Sequence, residues 1–276
     1  MLRPFTQVDV FTTTPYAGNP VAVVLDGSGL TTDEMQQFAN WTNLSETTFV
    51  LPPSDPTADY LVRIFTPALE LPFAGHPTLG TCHAWLRAEK TPKRDDVIVQ
   101  ECGAGLVPLR RSDDGLAFQA PPLLRSGPVA DGLLGEVATA LGIEREAIVD
   151  AAWADNGPGW IALLLGSAEE VLAVRPGFTD QDVGLVGPHP AGSSEAWELR
   201  AFFPKDGSIV EDPVTGSLNA SVAMWLLDTG RAAAPYVARQ GTALGRAGRI
   251  HISRDDAGAI WVGGGTVTCI DGQVEL

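Results

Sequence analysis

The chain has 276 residues, 45% of them apolar and 19% charged, with a formal charge of −16. That composition fits one large or two medium globular domains. The acidity is spread along the chain and repels phosphate backbones, which argues against a nucleic-acid partner, and no apolar run is long enough to span a membrane as a helix.

Cys82, Cys102 and Cys269 are widely spaced and form no CxxC or Cys/His metal pattern, so reduced thiols in a cytoplasmic setting are expected. The opening Met1-Leu2-Arg3-Pro4-Phe5-Thr6-Gln7 reads as the approach to a strand rather than as a signal peptide. Gly18-Asn19-Pro20 closes a turn before the apolar strand Val21-Ala22-Val23-Val24-Leu25. Thr31 followed by Glu34 is a capping box, and the helix it opens places Met35, Phe38, Ala39 and Thr42 on one face before stopping near Asn43-Leu44. Thr47-Thr48-Phe49-Val50-Leu51 and Tyr60-Leu61-Val62-Arg63-Ile64-Phe65 read as strands.

Pro72-Phe73-Ala74-Gly75-His76-Pro77-Thr78-Leu79-Gly80 sets a histidine on a glycine–proline turn ahead of a mostly apolar helix predicted over 78–88. Proline suits the first helical position, and the residue before it is expected to be extended at the helix mouth. Strands follow over 97–118, and Pro121-Pro122 marks a boundary between 1–119 and 120–276; the last strand is the one element that could return to the first domain.

The second half opens with a helix closed by Gly142. Asn156-Gly157-Pro158-Gly159 turns into the strand beginning at Trp160, and another strand spans Glu198-Leu199-Arg200-Ala201-Phe202-Phe203. After Glu211-Asp212-Pro213-Val214-Thr215-Gly216-Ser217 comes a second apolar helix over 217–227, then strands to the end, with a hairpin turn at Asp255-Asp256-Ala257-Gly258. Gly263-Gly264-Gly265 precedes no helix, so it is a bulge or turn rather than a dinucleotide fingerprint.

The halves echo one another. Asn19 and Asn156, Arg63-Ile64-Phe65 and Arg200-Ala201-Phe202, His76-Pro77 and Asp212-Pro213, and Trp85-Leu86 and Trp225-Leu226 recur in the same order at a nearly constant interval. Chance supplies one such match far more readily than four. A two-fold repeat of this length implies two similar α+β domains, with a small-molecule site expected between them. Helix N-termini aimed at such a site favour an anionic ligand.

Gly18-Asn19-Pro20-Val21-Ala22-Val23, Asn43-Leu44-Ser45-Glu46-Thr47-Thr48-Phe49-Val50, the segments 72–80 and 211–217, and Gln240-Gly241 with Gly245-Arg246 resemble the phenazine-biosynthesis PhzF-like family. The resemblance implies the diaminopimelate-epimerase-like fold: two pseudo-symmetric α+β domains, each a curled antiparallel sheet around a central helix. It also implies an isomerase without metal or organic cofactor, acting on a small anionic metabolite and pairing as a homodimer. The family's acid/base glutamate falls on Glu46, its histidine on His76 and its aspartate on Asp212; the substrate-lining positions fall on Gly75, Gly216 and Ser217. Epimerases and racemases of this fold carry a cysteine at each helix mouth, where this chain has His76 and Asp212.

Each residue also has a plainer reading. Glu46 alone is a solvated or capping carboxylate, His76 a hydrogen-bonded helix-start residue, and Asp212 an N-cap. Arg246 and Arg249 suit either a carboxylate ligand or salt bridges, and His83, His189 and His251 are structural. The leading expectation is a proton and double-bond shift carried by Glu46, whose pKa burial would raise. The alternatives are an epimerase or racemase with a non-thiol base and a non-catalytic metabolite-binding protein.

Overall fold

A computed structural model describes residues 1–205 and 207–276. The chain divides into two compact units, one made of 1–119 with 263–276 and the other of 120–262. No helix among the described residues is long and apolar enough to cross a membrane.

In unit 1, β1 (Leu2–Val10) lies between β2 (Asn19–Val24) and β18 (Thr266–Glu275), antiparallel to both. β2 runs parallel to β3 (Glu46–Leu51), β3 antiparallel to β4 (Tyr60–Phe65), and β4 antiparallel to the short β5 (Glu70–Leu71). β4 also runs parallel to β6 (Ile98–Cys102), which continues antiparallel into β7 (Gly105–Ser112) and β8 (Gly115–Gln119).

Unit 2 repeats this ladder. β9 (Arg125–Pro128) flanks β10 (Ile148–Asp155), and β10 is antiparallel to β11 (Ile161–Leu165). β11 is parallel to β12 (Val183–Pro188), β12 antiparallel to β13 (Trp197–Lys205), and β13 antiparallel to β14 (Ser208–Asp212). β13 also runs parallel to β15 (Tyr236–Gln240), which is antiparallel to β16 (Gly248–Arg254); β17 (Ile260–Gly264) leads out of the unit. The same succession of parallel and antiparallel pairings in both units is the repeat in three dimensions. The sheets are mainly antiparallel, with two parallel pairs in each.

Local chemistry accounts for the helices. α1 (Thr32–Thr42) starts at a complete capping box, with the Thr31 side chain accepting from Glu34 N and the Glu34 carboxylate accepting from Thr31 N. Its Met35, Phe38 and Ala39 pack with Phe49 and Phe65, and Asn43 ends it in the left-handed region at φ 52°. α3 (Asp131–Leu141) ends at Gly142 with φ 65° and covers the unit 2 cluster of Ile161, Leu163, Leu185 and Phe202.

The central helices start earlier than the sequence predicts. α2 spans Gly75–Arg87 and α5 spans Gly216–Asp228. Pro77 is therefore the third residue of α2 rather than the first, and His76 is helical rather than extended. Any first-turn position tolerates proline, because none of those N–H groups has an intrahelical acceptor. Pro213 lies outside α5, whose N-cap is Thr215, so Asp212 is the last residue of β14 and not a cap. β10, β12 and α4 (Ala168–Ala173) were not anticipated.

α2 is buried along most of its length and packs on β1, β2, β3 and β8. Gly80 makes this approach possible: a Cβ there would lie 2.3 Å from Val21 Cγ1. The glycine run is a close-packing device in unit 1, since a Cβ on Gly263 would lie 2.6 Å from the Leu116 carbonyl oxygen and one on Gly265 would lie 2.8 Å from that of Thr12.

Candidate active site

In unit 1, Glu46 is the first residue of β3 and His76 lies in the first turn of α2. Because β2 pairs parallel with β3, with Val21 opposite Glu46, the turn carrying Asn19 reaches the same place. Glu46 Oε2 lies 3.2 Å from His76 Nε2, with the side chains 15% and 5% exposed. Asn19 Nδ2 lies 3.4 Å from His76 Nδ1. Burial pushes the His76 pKa down from 6.5 to about 3, and a hydrogen bond to the Pro20 backbone only partly offsets this. The ring is therefore neutral near pH 7, with a proton on one nitrogen and a lone pair on the other; Nε2 faces the carboxylate and Nδ1 faces Asn19. The contact is a polar one, not a full ion pair.

Gly75 begins α2 behind Ala74, whose side chain cannot cap the helix. The first-turn N–H groups and the positive end of the helix dipole thus stay available beside Gly75 and His76.

In unit 2, the residues before α5 are held by Gln240, which is fully buried at the end of β15. Its Oε1 accepts from Thr215 N at 3.0 Å and Asn219 Nδ2 at 2.8 Å. Its Nε2 donates to the Asp212 carbonyl at 3.1 Å and to Thr215 Oγ1 at 2.9 Å. Thr215 Oγ1 in turn donates to Asp212 Oδ2 at 2.5 Å, so the carboxylate is fixed in place. Thr215 Oγ1 accepts from Gln240 and donates to Asp212; it makes no side-chain cap to α5, and the N–H groups at Gly216 and Ser217 are left without one.

Unit 1 has a counterpart: Gln100 on β6, also fully buried, donates from Nε2 to Thr78 Oγ1 at 2.9 Å. A buried glutamine on the strand parallel to the middle of the ladder thus steadies a threonine near the helix start in each unit. Sequence reasoning missed Thr215 and Gln100 in these roles, and Gln240 stood out only within a motif.

The remaining candidates have other duties. Arg249 Nε pairs with Glu195 at 2.6 Å, His189 Nε2 lies 3.0 Å from the buried Glu198, and His83 bridges Thr266 and Thr268 at 2.9 Å each. Cys82 is buried inside α2, where desolvation pushes its thiol up to about 12, and Cys102 is raised for the same reason. Neither suits the thiolate base of a two-cysteine racemase.

Two repeated α+β units, each with a central helix that no side chain caps, define an epimerase-like fold. A hydroxyproline epimerase from Agrobacterium vitis shares the fold at a TM-score of 0.59 and 13% identity, covering 99% of this chain and 92% of that one. A Bacillus anthracis protein described as a phenazine biosynthesis protein of the PhzF family aligns more closely, at a TM-score of 0.83 and 22% identity over 100% of both chains.

Residues 8–272 match the family described as phenazine biosynthesis-like protein, PhzC-PhzF, and the chain belongs to that family. It is 36% identical to antisense-enhancing sequence 1 of Schizosaccharomyces pombe, covering 98% of this chain and 97% of that protein. It is 33% identical to the trans-2,3-dihydro-3-hydroxyanthranilate isomerase of Pseudomonas aeruginosa, covering 100% of each. The chain is an isomerase of the PhzF type.

Proposed function

We propose that this isomerase moves a proton, and with it a double bond, within a small carboxylated metabolite, using Glu46 as the only acid/base and no metal or organic cofactor. The observation that carries the reading is the 3.2 Å approach of Glu46 Oε2 to a neutral, buried His76. The carboxylate takes a proton from an activated carbon, the C–H electron pair enters the conjugated system, and the same carboxyl returns the proton to the far carbon. Electrons and atoms balance without an oxidant or a second substrate. His76 and Asp212 hold polar groups of the substrate. Gly75, Gly216 and Ser217 offer donors at uncapped helix starts, which suit a carboxylate.

Trans-2,3-dihydro-3-hydroxyanthranilate, named for the Pseudomonas aeruginosa relative, is the first compound to assay. Glu46→Gln should fold normally and lose turnover; full activity in that variant removes the mechanism. In deuterated water the isomerase moves a double bond, whereas an epimerase exchanges the proton at a stereocentre and leaves the bond in place. The homodimer and the cytoplasmic setting belong to the same proposal, and sedimentation velocity tests the first.

A further inference from the structure

The turn that carries Asn156 does more than link β10 to β11. Asp155 Oδ1 accepts from Gly157 N at 2.7 Å and from Gly159 N at 2.8 Å, which sets the shape of the turn. Asn156 Nδ2 donates to the Ser217 carbonyl at 2.9 Å, and Trp160 Nε1 donates to Ser217 Oγ at 3.1 Å. Ser221 Oγ adds a third bond, to the Ser217 carbonyl, at 3.1 Å. Trp160 is 4% exposed, so its ring has a fixed position, whereas Ser217 is only partly buried.

An indole N–H donates and never accepts. Ser217 Oγ is therefore an acceptor toward Trp160, and its own proton must go elsewhere. Among the described residues, none accepts that proton. Ser217 also sits in the first turn of α5, beside N–H groups that no side chain caps. The free hydroxyl proton and the uncapped N–H groups together favour a ligand that accepts.

We infer that Trp160 is a positioning residue: it fixes Ser217 as a hydrogen-bond donor, so the substrate group received at the start of α5 is an oxygen acceptor, a carboxylate or carbonyl, and not an ammonium. The inference rests on the reading of Ser217 as substrate-facing. Asn156 completes the device by holding the Ser217 backbone. Its repeat mate Asn19 lies beside the His76 ring at the other helix start, so in each unit the matching asparagine contacts a residue of the first helical turn, a backbone carbonyl in one and a side chain in the other.

The test measures dissociation constants by calorimetry in a Glu46→Gln background, which prevents turnover. The probes are trans-2,3-dihydro-3-hydroxyanthranilate, benzoate and benzylammonium. Trp160→Phe keeps an aromatic side chain and loses the donor, and should weaken carboxylate binding about fivefold, the scale of one hydrogen bond. Ser217→Ala should weaken it at least as much, and the double variant no further than Ser217→Ala. Benzylammonium should not bind. Unchanged carboxylate binding in Trp160→Phe, with weakened binding in Ser217→Ala, overturns the role of Trp160 alone. Unchanged binding in Ser217→Ala overturns the substrate-facing reading of Ser217, and with it the inference. No response to either carboxylate, or tight binding of benzylammonium, also overturns it.

Should Trp160→Phe fail to fold, indole 15N–1H spectra serve instead. One indole peak should move on Ser217→Ala and, in protein with Ser217 intact, move on adding benzoate. If no indole peak responds to either change, the inference falls.

Discussion

Arg200 on β13 grips Glu211 on β14 with two hydrogen bonds, Nε to Oε1 at 3.0 Å and Nη2 to Oε2 at 2.7 Å. The guanidinium also donates to the Val171 and Val174 carbonyls and lies 4.8 Å from the Phe202 ring centroid. Arg63 and Glu70 make the same fork between β4 and β5, with Arg63 5.1 Å from the Phe65 ring. The two pairs differ in burial: the Arg200 side chain is 4% exposed and that of Arg63 is 25% exposed.

That difference sets the first prediction. Arg200→Met leaves the Glu211 carboxylate buried without its partner and should cost about 3 kcal/mol. Arg63→Met should cost under about 1 kcal/mol. Adding Glu211→Leu to Arg200→Met should recover most of the loss. Urea unfolding of the four proteins measures all of this, and equal losses at Arg63 and Arg200 would contradict it.

His76 makes stability depend on pH. Its folded pKa of about 3 lies below the ordinary 6.5, so between these values the unfolded chain binds a proton that the native ring refuses. The contribution is whole above about pH 6.5 and is lost as pH falls toward 3, at up to about 1.4 kcal/mol per pH unit. Unfolding midpoints at pH 7, 5.5 and 4.5 should therefore fall more steeply for the native protein than for His76→Gln. Parallel curves would show that the ring is not buried and neutral. The pH–rate profile of the native enzyme should also show no imidazole ionisation near 6.5.

Gly80 offers a packing test close to the site. A methyl group there meets Val21 Cγ1 at 2.3 Å, so Gly80→Ala should cost about 1–3 kcal/mol through overpacking. Gly272 in β18 has open space at its Cβ, and Gly272→Ala should be close to neutral. Thermal unfolding of the two variants separates them.

Asp182 works in the opposite sense to His76. Burial and the neighbouring Asp155 charge raise its pKa from 3.8 to about 6, so the native state holds a proton that the unfolded chain releases. Stability is therefore lost as pH rises from about 3.8 to 6, and stays lower at pH 7. Asp182→Asn should stabilise the protein at pH 7, on the order of 1 kcal/mol once solvent screening is allowed for, and the gain should shrink at pH 4.5. Chemical denaturation at the two pH values decides this.

Some of the fold was legible because its signals are local. The Thr31–Glu34 box, the left-handed stops at Asn43 and Gly142 and the apolar runs of both central helices each lie within a few residues of sequence. β12 was hidden by Gly184 and Gly187, which dilute its apolar run; a Cβ on Gly187 would lie 2.3 Å from the Ser167 carbonyl, so glycine serves packing there rather than a turn. α4 is only six residues long, too short for a helical period to show. At the candidate site the residue types were readable from motifs and their supports were not. Gln240 stands far along the chain from Asp212 and Thr215, and Trp160 far from Ser217, so their hydrogen bonds exist only after the strands have paired.

The return of β18 has a consequence for how the chain comes to be folded. β1 takes its antiparallel partner from Thr266–Glu275, and the Thr266 and Thr268 hydroxyls meet His83 on α2. These residues leave the ribosome only after all of unit 2 has been made. A nascent chain bearing 1–119 holds Glu46 and His76 but exposes one edge of β1 to whatever strand it encounters. Maturation of the first helix start therefore waits on the synthesis of Thr266–Glu275, and unit 2, made without interruption, is free to finish first.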